Sequence, residues 1–154
     1  MAVQANADVW NALVADLKEW MDDAGYGIAV YLREAPGQDV TAQYAIQVIP
    51  GGDTARHPIS GVGLLESQVQ LVIWWRNLYD PVHKATLRIA GERGIEQFID
   101  GLRTHMIQNT LGGRLTIPFT WRSGGQVEQV DDLVGWMRGT ETFVCAFEID
   151  WSVQ

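Results

Sequence analysis

Glu148 and Asp150 stand at i and i+2 in a strongly alternating segment, so one strand face carries both carboxylates. Paired carboxylates serve general acid–base work or hold a divalent cation. No third ligand lies at readable spacing, and a wet sheet face or a charged lumen accounts for the pair more simply. His57, His83 and His105 are scattered over a loop, a connection and a helix, without HxxxH or HxH spacing. Asp80 and His83 can meet across a turn, where a local salt bridge explains them better than catalysis. The glycine-rich stretch PGGDTARHPISGVG lacks the Gly-Lys-Ser/Thr ending of a phosphate loop, and neither GxSxG nor HExxH occurs. The lone Cys145 can neither form an internal disulfide nor complete a zinc site, and it reads as a buried structural thiol. The residues therefore give no positive reason to propose an enzyme, a cofactor or a metal.

Composition points toward assembly. Charged residues make up 19% of the 154 positions, against roughly 25% in ordinary soluble domains, while seven tryptophans are present. Low charge with many tryptophans implies more buried surface than a monomer of this size needs; a dense Trp-rich core is the bland alternative. The net charge of −8 argues against wrapping nucleic acid, which requires cations to replace counterions. It is compatible with a channel whose acidic wall lets DNA pass without sticking. Nine of the eleven cations are arginines, a residue suited to shared planar hydrogen bonding at interfaces. The N-terminus has no basic segment followed by an apolar stretch, and no run approaches the ~20 apolar residues that span a bilayer. A soluble, cytoplasmically made protein with no membrane partner is expected.

The periodicities give one α+β domain over residues 1–154, mostly antiparallel, in the order α-β-β-β-(β)-α-β-β. An amphipathic helix over 7–23 carries Val9, Leu13, Leu17, Trp20 and Met21 on one stripe, ended by Gly25 and Gly27. Its Asp22-Asp23 pair reads as a solvated helix end. Strands over 28–33 and 44–49 read as neighbours joined by a long hairpin loop around Pro36-Gly37. Residues 50–63 read as a long loop with Arg56 and His57 at its tip, either solvated or in contact with a partner. A long strand over 64–78 follows, then the Asp80-Pro81 breaker and a strand or extended connection over 85–90. A second helix over 94–110 carries Ile95, Phe98, Ile99, Leu102, Met106 and Ile107. In the next strand Leu115, Ile117, Phe119 and Trp121 alternate, and Pro118 requires an edge or a bulge. Residues 123–140 read as a polar segment whose Trp136 and Met137 either project toward a partner or fold back onto the core. The last strand, 142–151, puts Phe143, Cys145, Phe147, Ile149 and Trp151 on one face.

Within the long strand, Val69, Leu71, Ile73 and Trp75 share one face while Gln70, Val72 and Trp74 share the other. The strand begins with one wet face and ends with two dry ones. The chain's helices cover one face, and a second subunit is the expected cover for the other. Val72, Trp74, Trp75 and Arg76 are therefore candidate interface residues.

The passages NADVWNALVADLKEWM, GIAVYLRE, LLESQVQLVIWWRNLYD, GIEQFIDGLRTHMIQNTLGGRL and TFVCAFEIDW, in this order, resemble the tail terminator proteins of long, non-contractile-tailed bacteriophages. The resemblance spans nearly the whole chain but rests on pattern, because the family has no invariant catalytic motif. It implies a homo-hexameric ring that caps the tail tube, halts its polymerisation and joins the tail to the head–neck connector within the virion. The partners it implies are further copies of the chain, the tail-tube protein and the connector, with DNA passing through the lumen unbound. Glu148 and Asp150 are candidates to line that lumen, and residues 50–63 and 123–140 are candidates to dock neighbours. Related folds occur in tail-tube and head-completion proteins. A small monomeric ligand-binding or enzymatic α+β domain is the alternative from another class.

Overall fold

The computed structural model describes residues 6–36, 43–59, 62–76, 95–125, 127–129 and 136–150. Helix α1 (Asn6–Asp23) buries Val9, Trp10, Leu13, Leu17 and Met21, as its periodicity requires. It ends in a Schellman turn. Gly25 takes φ 79°, the Tyr26 amide donates to the Met21 carbonyl at 2.9 Å, and the Gly25 amide donates to Asp22 at 3.0 Å.

Strand β1 (Val30–Leu32) and strand β2 (Tyr44–Ile59) are neighbours, but parallel ones, with Val30 opposite Ile46. The hairpin expected between them is corrected. Residues 33–43 supply about the dozen residues that a parallel return requires.

β2 also runs ten residues past its expected end at Ile49 and forms a long antiparallel hairpin with β3 (Val62–Arg76). The loop expected over 50–63 is thus mostly strand. Pro50, Gly51 and Gly52 resemble a chain break, yet a register shift between Pro50 and Asp53 absorbs them as a bulge. A Cβ at Gly51 would stand 3.0 Å from the Gln68 carbonyl oxygen, so glycine permits the close approach.

Helix α2 (Ile95–Met106) leads to β4 (Ile117–Gly124), the short β5 (Glu128–Gln129) and β6 (Trp136–Asp150). The sheet order is β1-β2-β3-β6-β4, with β5 also on β6. β3 and β6 pair without interruption from Val62–Asp150 to Arg76–Trp136. β6 therefore takes residues 136–140 from the segment expected to project. β4 is an edge strand, and its register shifts between Ile117 and Thr120, so Pro118 meets both conditions set for it.

Both helices pack on one face of the sheet. Val9, Leu13, Leu17 and Met21 of α1 and Phe98, Leu102 and Met106 of α2 share one core with Val69, Leu71, Ile73, Phe143, Phe147 and Ile149. A smaller cluster on the opposite face joins Ala29, Ala45, Val72, Trp74 and Trp136. The architecture is α+β with a mostly antiparallel sheet. No helix among the described residues is long and apolar enough to cross a membrane. Asp80, His83, residues 85–90, 133–135 and Trp151 lie outside the described residues.

Candidate functional site

The residues expected to meet a partner fall into two layers. Trp75 belongs to the main core at 5% exposure, which corrects its placement at a subunit surface. Its indole N–H is buried without a hydrogen-bond partner among the described residues. Val72 and Trp74 lie on the opposite face, as the alternation requires, but are already buried within one chain. Trp74 donates to Gln47 Oε1 at 3.2 Å, and Gln47 in turn donates to the Arg33 carbonyl.

Trp136 is 3% exposed and packs edge-on against Trp74, with ring centroids 6.3 Å apart. Its reading as a projecting docking residue is corrected: the fold-back alternative is the one the structure adopts, because β6 pairs through Trp136. Met137 is half-buried against the main core. Arg76 lies over the Trp136 ring and Arg138 over Trp74, at 5.7 and 5.6 Å. Arg56 and His57 sit in β2 instead of at a loop tip; their side chains, like that of Asp150, lie outside the described residues.

The face opposite the helices continues with Gln68, Gln70, Thr140, Val144 and the half-buried Glu148. Cross-strand register brings Glu66 beside Glu148, through the pairs Glu66–Ala146 and Leu64–Glu148. Arg122 donates to Gln68 at 2.6 Å, and Arg138 pairs with Glu128 at 2.7 Å. Arg76, Arg122 and Arg138 thus stand against Glu66, Glu128 and Glu148. Among the described residues this face is charge-balanced. The exposed acids Asp8, Glu19, Asp22, Asp23 and Asp100 lie on the helix layer instead.

One constellation escaped the sequence reading. Glu141 is 1% exposed, on the core-facing side of β6. Arg103 reaches it from α2 through Nε at 2.5 Å and also through Nη2. Trp121 donates its indole N–H to Glu141 Oε2 at 3.2 Å, while the Arg103 guanidinium lies 5.0 Å over the Trp121 ring. Gly124 keeps this space open, since a Cβ there would stand 2.7 Å from Arg103 Nη2 and collide with the carboxylate. The available signal was parity: Glu141 shares its phase with Phe143, Cys145 and Phe147, an acid where an apolar residue is expected.

The two helices are joined by a second polar group. His105 Nε2 lies 2.5 Å from Asp16 Oδ2, which also accepts from Asn109 at 3.0 Å, and Trp20 stacks on the imidazole at 5.5 Å. Beside it, Ala12, Asp16, Glu19, Leu111, Gly112 and Arg114 line an open cavity of about 280 Å³. The Asp16–His105 pair fastens α1 to α2 beside it.

Cys145 is buried as expected, and burial foremost, then the Asp53 carboxylate, pushes its thiol up to about 12 from 9.0. Asp53 itself accepts from the Ser67 hydroxyl at 2.6 Å. A thiol held protonated is no nucleophile at neutral pH. Because the folded chain keeps this proton longer than the unfolded chain, its contribution is complete below pH 9 and is lost as pH rises toward 12. The wild type should lose up to about 1.4 kcal/mol per pH unit more than Cys145→Ala in that window. Urea titrations at pH 8 and pH 10.5 measure this, and parallel slopes for the two proteins would refute it. Among the described residues no three of His, Cys, Asp and Glu converge as metal ligands. No protein-family model matches the chain, and comparison with curated proteins finds no significant match.

Proposed function

We propose that this chain is a structural subunit of a phage tail, of the tail-terminator kind, which closes into a ring on the end of the tail tube. The observation that carries the reading is the one-sided packing of the fold. Both helices lie on one face of the sheet; on the other, β3 and β6 carry a buried apolar cluster at Val72, Trp74 and Trp136 and half-buried polar residues at Glu66, Gln68, Gln70, Thr140 and Glu148. A sheet of this kind suits the wall of a passage, with the helix layer outward. Its arginines and glutamates balance, so phosphate is neither captured nor strongly repelled, which suits DNA in transit. The acidic wall anticipated from net charge is replaced in this reading by a neutral one, with Glu148 on it.

The chain's partners in this reading are its own copies, the tail-tube protein and the head–neck connector, and its place is the virion. Mass photometry of the purified chain across concentration and salt, with and without tail tubes, tests it. A closed species near six times 17.2 kDa is expected. Open-ended growth identifies a tube subunit instead, and a monomer indifferent to tubes returns attention to the cavity between α1 and residues 111–114.

A further inference from the structure

We infer that successive copies of this chain join edge to edge, the open edge of β2 in one copy pairing with the open edge of β6 in the next, Arg56 beside Glu148. The inference rests on the assembly reading above and names its contact. β1 covers β2 only from Ile46 to Val48, and β4 and β5 cover β6 only as far as Ala146. Beyond those points the outer sides of β2, over 53–59, and of β6, over 147–150, meet no strand among the described residues. An open strand edge offers a row of N–H and C=O groups to another chain.

The two edges match in level, direction and charge. Leu64 of β3 pairs with Arg56 on one side and with Glu148 on the other, so the three residues form one row across the sheet. β2 and β6 are both antiparallel to β3 and therefore parallel to each other. A neighbour set alongside brings its β2 against β6 in parallel, with its Arg56 in the same row as Glu148. Opposite charges side by side in such a row are favourable, and like charges are not. Glu148 is half-buried and has no hydrogen-bond or ionic partner of its own among the described residues. Pro58 has no N–H to give and falls in the register shift between Arg56 and Ile59. The shared ladder is therefore short, and the charge pair carries much of its specificity.

The charges select unlike edges. A two-fold contact would bring Arg56 close to its own copy, or Glu148 close to its own copy, which like-charge repulsion disfavours. Joining β2 to β6 is heterologous, and it repeats until it closes into a ring or runs on as a filament. It also carries the helix-free faces of all copies into one continuous wall.

The test uses the full chain, with and without tail tubes, in two measurements. Glu148→Arg and Arg56→Glu should each raise the concentration at half-assembly at least about tenfold. An equimolar mixture of the two should assemble as the wild type does, because alternating copies again set Arg against Glu at every contact. Separately, Ile59 and Asp150 share the row of Val62 and leave the charge pair intact when replaced. A chain carrying Ile59→Cys with Asp150→Cys should, under mild oxidation, give a disulfide ladder at least about tenfold stronger than one carrying Ile59→Cys with Glu128→Cys. Within one chain the first two positions lie two strands apart, about 10 Å, so each link joins two copies. The native Cys145 is buried and does not compete.

Assembly undiminished by Glu148→Arg, a mixture that stays apart although both variants keep the wild-type unfolding midpoint, or equal cross-linking in the two chains overturns this contact and leaves the ring reading standing. If either charge variant unfolds, the cross-link alone decides. Filaments that the mixture restores keep the contact and overturn the closed ring. A wild type that stays monomeric with and without tail tubes overturns both.

Discussion

Replacing Phe98 by alanine is expected to cost about 4 kcal/mol of folding stability, the largest single-residue effect in this chain. Phe98 is fully buried at the point where α1, α2 and the sheet meet. Its ring stacks on Tyr44 of β2 at 4.8 Å and 12°, meets Tyr26 edge-on at 4.7 Å, and lies 5.4 Å from Trp20 of α1. Deleting it removes the transfer energy of a large side chain and leaves a cavity walled by three rigid rings. Aromatic pairs add about 0.5–1.5 kcal/mol each beyond area, so Phe98→Leu should lose part of the total and alanine all of it. Urea unfolding followed by far-UV circular dichroism measures both. A loss below about 1 kcal/mol for the alanine variant would mean that α2 does not hold the two layers together.

The second large effect is asymmetric. Arg103→Met should cost about 3 kcal/mol, because it leaves the Glu141 carboxylate buried with, among the described residues, only the Trp121 N–H as a donor. Glu141→Gln should cost less, about 1.5 kcal/mol: its single amide oxygen still accepts from Arg103, its NH2 loses the Trp121 bond, and the Arg103 charge left behind is partly solvated. Removing both charges together, as Arg103→Met with Glu141→Leu, should recover much of the loss, as replacement of a buried pair by apolar groups commonly does. The double-mutant cycle, with Glu141→Leu alone as its remaining corner, is the decisive readout. If the two single costs are equal and simply add, the pair is not coupled and α2 is held by its apolar stripe alone. The cation–π contact of Arg103 with Trp121 also predicts that Trp121→Ala weakens the same pair, by about 1 kcal/mol.

Much of the architecture was legible because local patterning and burial agree. α1 was readable from Val9, Leu13, Leu17 and Met21 because a helix presents every third or fourth residue to one neighbour, and all four are fully buried. The core-facing parity of Val69, Leu71, Ile73 and Trp75 followed from the two-residue period of a strand. Pro118 was readable because a residue with no N–H is tolerated only at an edge or a bulge. The extent of the β2–β3 hairpin was not. Pro50, Gly51 and Gly52 carry every local mark of a loop, and only pairing with β3 makes an extended bulge the better solution. The parallel direction of β1 was equally invisible, since three residues of strand have the same pattern in either direction.

For the candidate site the division is sharper. The sequence alone determined the α+β class, the two amphipathic helices and which residues of β3 share a face, because all of these follow from hydrophobic period. It singled out Val72 and Trp74 as apolar residues on the second face, and they are so placed. Only the tertiary structure decided what covers them, because Trp136 is more than sixty residues away and its position depends on β6 pairing with β3 over its whole length. The same holds for Arg103 with Glu141 and for Asp16 with His105. Period is written between near neighbours in the chain. Partnership between distant residues is written nowhere in it, and arises when strand order and helix placement bring them together.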